Sequence, residues 1–129
     1  MKRYLLKPAG TLFMTRATVF GPKGMRVVRL LVDTGSVHTI MAVEVLESIG
    51  CSPAASTDHV RIITGSGFLI AARVKVSGFQ SLGRKIQDMP IVAHTLPMGS
   101  WINGLLGMDF LRSHGFRLLL DEGVIEAPR

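Results

Sequence analysis

The stretch Arg29 to Met41 reads RLLVDTGSVHTIM. Leu30, Leu31 and Val32 form an apolar run that ends on Asp33. Thr34, Gly35 and Ser36 follow, and apolar residues resume at Val37. Burying a charge is costly unless it is paired or hydrogen-bonded. A strand that delivers a carboxylate into a glycine-containing turn therefore calls for a reason. The plainest one is an Asp that caps a turn, with Thr34-Gly35 reversing the chain. The rest of the sequence decides between that reading and a chemical one.

Working outward, the chain reads mainly as strands. TRATVFGPKGMRVVRLLV is a hairpin with Gly21-Pro22-Lys23-Gly24 at its turn, rich in β-branched and large apolar residues. TIMAVEVLESIG changes period. Ala42, Val45, Leu46 and Ile49 fall at helical spacing, with Thr39 as a possible N-cap, Gly50 as the stop and Pro53 beyond. VRIITGSGFLIAARVKV returns to strand chemistry around a hairpin tip at Thr64-Gly65-Ser66-Gly67. IVAHTL is another short strand, MDFLRSHG is one or two helical turns stopped by Gly115, and FRLLLDEGVIEA closes the chain as a hairpin around Glu122-Gly123. Many short strands with about two helices suggest a small barrel or sandwich, one domain spanning 1–129, with no repeat or linker.

Composition narrows the class. Hydrophobic residues make up 47% of 129, enough to bury a core, while aromatics at 6% leave that core mainly aliphatic. The net charge of +6 raises the possibility of nucleic acid. The basic residues are scattered and no run of five appears, so they read as a solvated surface and nucleic acid is not an expected partner. Cys51 is alone, so no internal disulfide forms, which favours a reducing compartment. Lys7 and Pro8 interrupt the apolar start, so neither a signal peptide nor a membrane span is read, and a cytoplasmic location is the expectation. The four histidines lack metal-ligand spacing, and no metal or cofactor is expected. Cys51 has no positioned histidine, and Ser36 has no credible triad.

Far downstream lies GLLGMDFL, a glycine, two apolar residues and a second glycine leading into a short helix. Asp-Thr-Gly alone is a weak signal. LVDTGS, then a helix, then IITGSGF, then LLGMDFLRSHG, then a final hairpin, in that order, resembles the retropepsin-like (retroviral-type) aspartic proteases over nearly the whole chain. It is most similar to the retroviral-like domain of the DNA-damage-inducible proteins and to bacterial retropepsin-like enzymes. The resemblance implies an all-β acid-protease fold, a closed barrel with one short amphipathic helix and one C-terminal helical turn, working as a symmetric homodimer on polypeptides.

It also implies roles. Such enzymes place two carboxylates around one water. One acts as base, and the protonated one polarises the scissile carbonyl. Asp58, Asp88, Asp109 and Asp121 each lack a following Thr-Gly or Ser-Gly, so this chain carries a single catalytic Asp33 and would share its site with a second copy. By resemblance, Thr34 ties the two loops together, and Gly35 and Ser36 donate to the carboxylates. Gly65, Ser66 and Gly67 form a flap that closes over the substrate, with Phe68 at its base. Ile40, Ile63, Asn103 and Leu105 line side-chain pockets, as does His38, which stands where the family often has an acid. Leu106 and Gly107 pack beside the catalytic loop. Val37 and Met108 replace a carboxylate and an arginine that pair in retroviral enzymes, so those polar contacts to the peptide ends are not expected. The terminal segments, Val124–Ala127 among them, are expected at the dimer interface. A dimeric binding or scaffold module that kept the fold and lost turnover is the alternative.

Overall fold

The computed structural model describes every residue except Met98 and Ser100, and only the backbone of Thr64. The chain runs through β1 (Lys2–Leu5), β2 (Lys7–Ala9), β3 (Leu12–Gly21), β4 (Gly24–Val32), β5 (Ile40–Met41), α1 (Val43–Ser48) and a 3₁₀ turn at Pro53–Ala55. It continues with β6 (His59–Thr64), β7 (Gly67–Ser81), β8 (Arg84–Ala93), β9 (Gly104–Leu106), α2 (Met108–Leu111), β10 (Arg117–Leu119) and β11 (Val124–Ala127). The fold is all-β, as the patterning predicts. None of these helices is long and apolar enough to cross a membrane.

Eight strands form one sheet in the order β2-β3-β4-β9-β5-β8-β7-β6, curled so that β3 also pairs with β7. Inside the curl, Val19, Val28, Leu30, Val76, Phe79, Ile91, Leu106 and Phe110 are buried. Phe79 and Phe110 meet edge-on with ring centroids 5.3 Å apart. A second sheet, β1-β11-β10, is built within one chain, with Tyr4 opposite Ile125. The terminal segments thus pair with each other inside the protomer.

Three local expectations change. Thr39 is not the helix N-cap. Ile40 and Met41 extend as β5, Ala42 takes the cap position without a side-chain bond, and Thr39 is fully buried elsewhere. The IVAHTL strand begins earlier, at Arg84, because Leu82-Gly83 turns β7 into β8. Both residues of that turn have positive φ, +49° and +73°, the conformation of a tight two-residue hairpin. Leucine is a poor choice there, but its side chain is buried, and packing offsets the backbone cost. Finally, of the two glycines at the β6–β7 hairpin tip only Gly67 has a positive φ, at +137°.

Candidate active site

Asp33 follows β4 directly. Its N–H donates to Leu106 O at 3.0 Å, so the pairing of β4 with parallel β9 continues to the carboxylate. The chain then turns, with Ser36 N–H donating to Asp33 O at 3.2 Å. Gly35 N–H donates to Asp33 Oδ1 at 2.9 Å, and a Cβ on Gly35 would stand 3.3 Å from the same oxygen. Glycine is what lets the backbone come this close. Asp33 is half-buried, while Thr34 and Gly35 are exposed. The carboxylate is therefore oriented from below and open from above. Ser36 takes a different partner from the expected one: its hydroxyl donates to His38 O at 2.6 Å.

The loop after the turn is held by a group the sequence reading set aside. Asp109 accepts from Thr39 Oγ1 at 2.7 Å, from Thr39 N at 3.0 Å and from Phe110 N at 2.8 Å. Thr39 Oγ1 in turn accepts from Gly107 N at 3.2 Å. Met108 N and Asp109 N donate to Ser36 O and Val37 O. A Cβ on Gly107 would collide with His38 O, and one on Gly104 with Ile40 O. The two glycines allow the β9–α2 segment to run against the loop that follows Asp33. The signal for Asp109 lay in its place two residues after Gly107, but a motif search for a second Asp-Thr-Gly passes over it.

A cavity of about 400 Å³ opens beside Asp33, lined by Gly35 to His38 and Ile40 on one side and Arg61 to Ile63 on the other. Ile40 is buried with Ala71 and Val92, and Ile62, Leu69 and Leu105 pack onto that cluster. Of the expected pocket residues, His38, Ile40 and Ile63 line this cavity, and Leu105 supports its floor. Ile62, which sequence reasoning missed, faces inward, while Ile63 is 86% exposed. Asn103 is not brought to it. Its Oδ1 accepts from Arg29 N at 2.8 Å, and it lines a separate cavity of about 260 Å³ with Ala42 and Thr95. Gly65 and Ser66 form the tip between β6 and β7, both exposed. Phe68 pairs with Ile63 and is 62% exposed with the Arg61 guanidinium 5.1 Å above its ring, so it sits on the outer face of the hairpin.

A larger cavity, about 550 Å³, lies elsewhere, around Cys51, Ser56, Asp58 and Arg73. Burial pushes the Cys51 thiol up, which disfavours the nucleophilic thiolate. A hydrogen bond from Arg73 holds the Asp58 carboxyl below its usual value, consistent with their 2.7 Å contact. Among the described residues no three His, Cys, Asp or Glu side chains cluster as a metal site would require.

A strand-borne aspartate accepts from Gly35 N–H in a curled sheet, and the loop that follows it faces β6 of the glycine-tipped hairpin across a cavity. A family model for aspartyl proteases matches residues 15–110. The chain belongs to that family. Among solved structures it is similar to a retropepsin-like aspartic protease from Rickettsia conorii, with a TM-score of 0.71 at 18% identity, covering 96% of this chain and 88% of that one. No curated protein matches the sequence. The retropepsin-like assignment made from LVDTGS and LLGMDFL holds.

Proposed function

We propose that the protein is a homodimeric aspartic endopeptidase that hydrolyses extended polypeptides with a water held between Asp33 and the Asp33 of a second copy. The observation that carries this reading is the Asp33 turn: one carboxylate, oriented by Gly35 N–H, open toward solvent, and alone of its kind in the chain. The chemistry needs two carboxylates sharing a proton, because like charges at contact distance do not both ionise readily. A two-fold axis beside the turn supplies the second. An apolar cavity of about 230 Å³ next to the turn supports a partner there. Thr34, Val32, Met108 and Leu118 line it, and Thr34 is exposed. Gly65 to Gly67 then act as the flap that covers bound substrate and excludes water. Val37, His38, Ile40 and Ile63 contact its side chains.

The test is peptide cleavage by wild type and Asp33→Asn, with sedimentation of both. Expected are dimers in each case, and turnover lower by several orders of magnitude in the variant. A variant that retains near-normal cleavage after contaminating proteases are excluded contradicts the assignment. A dimeric wild type that binds peptides without cleaving any points to the binding-module alternative.

A further inference from the structure

Side chains alternate along β4, so Arg29, Leu31 and Asp33 fall on one face in that order, and the bond from Asp33 N to Leu106 O keeps the alternation through the carboxylate. Cross-strand partners share a face. Arg16 on β3 therefore stands directly opposite Arg29, as Met14 stands opposite Leu31. Leu105 joins beside Leu31 from β9. The row nearest the Asp33 turn is thus apolar and buried, Met14 and Leu31 packing with Ile102, and the next row out is a pair of arginines.

Like charges directly opposite each other destabilise a sheet. Neither guanidinium has a carboxylate within 4 Å among the described residues. Arg29 Nε donates to the carbonyl of Trp101, and among the described residues its terminal nitrogens have no acceptor. Arg16 is exposed. The pair lies about 13 Å along the strand from Asp33, four residues at about 3.3 Å each.

We propose that Arg16 and Arg29 form an outer subsite for a carboxylate side chain of the substrate, about three to five residues from the scissile bond. The inference rests on the protease reading of Asp33. It names the substrate class as polypeptides whose apolar cleavage site is flanked by Asp or Glu. A guanidinium fork matches a carboxylate in geometry as well as charge. Leu31 and Met14 are buried with Ile102, so a substrate running outward from Asp33 passes over that cluster, not over the row itself, before it meets this pair. A nucleic-acid track would continue the charge along the sheet. Instead Thr18 and Val27 occupy the following row, and Lys85 turns over the Phe20 ring at 4.8 Å.

The experiment uses two peptides, identical except for Asp or Asn four residues from an apolar cleavage site, made with the substitution on either side. Wild type is expected to prefer the Asp peptide by roughly three- to tenfold in kcat/KM, mainly through KM. The ratio should contract at high salt. It should approach one in R16Q/R29Q and fall only in part in R16K/R29K, which keeps the charge and loses the fork. Equal cleavage of both peptides by wild type, or an unchanged ratio in R16Q/R29Q, overturns the proposal. So does a loss of single-stranded oligonucleotide binding in R16Q/R29Q without a change in the peptide ratio. Binding of the same peptides to Asp33→Asn reads the ratio without turnover. A failure of cleavage then counts against the protease reading alone, and equal binding counts against the subsite.

Discussion

Asp109 touches no reacting group, yet three hydrogen bonds converge on its carboxylate, and two come from the buried Thr39. That arrangement fixes the loop carrying Val37 to Ile40, and so one wall of the cavity beside Asp33. Removing the acceptor leaves the Thr39 N–H and hydroxyl unpaired away from water, at a cost of about 2 kcal/mol. For a domain of this size that corresponds to a fall in Tm of about 7 °C. Asp109→Ala should show it in thermal unfolding, and Asp109→Asn, which keeps one carbonyl oxygen, should lose less. An unchanged Tm in Asp109→Ala would mean that the network does not hold the loop. At this scale Asp33 was legible because an apolar run that ends on Asp-Thr-Gly sets a costly charge at a strand end, and GLLGMDFL downstream accounts for it. Asp109 and Asn103 were not, since their bonds reach Thr39 and Arg29, 70 and 74 residues away. The bond made by Ser36 was equally hidden, because a hydroxyl beside a carboxylate and a carbonyl gives no sign in sequence of which it chooses.

Elements with local signals were read correctly, and those set by packing were not. Gly21 to Gly24 announced the β3–β4 hairpin, and the apolar spacing of Ala42 to Ile49 announced α1. Thr39 looked like a helix cap, but Asp109 competes for its hydroxyl, and the intervening residues extend to pair with β8 and β9. The Leu82-Gly83 turn had no warning, because burial of Leu82 decides it. The β6–β7 hairpin makes a prediction of its own. Gly65 to Phe68 are exposed, and Gly67 takes a positive φ. Few buried contacts mean low local stability. Amide exchange at the tip should slow markedly when a non-cleavable peptide analogue binds, while exchange in β3 and β4 stays unchanged. Equal protection of the tip with and without the analogue would remove the flap role.

The whole molecule adds what neither residues nor elements contain. The basic residues look scattered along the chain, but the β3–β4 register sets Arg16 against Arg29 on the face that leads to Asp33. The termini, read from sequence as interface segments, are first of all a sheet within the protomer. Their free edges and the apolar cavity beside Thr34 are what a second copy would meet. The central claim is that one chain is half of an active site, and mixing tests it most directly. Wild type and Asp33→Asn are combined in equal amounts, allowed to exchange subunits, and assayed on an apolar-site peptide at fixed total protein. If both carboxylates are needed, only wild-type pairs are active, and about a quarter of the full rate remains. A rate that stays at about half, in simple proportion to the wild-type chains present, would show that each chain works alone and would contradict the account.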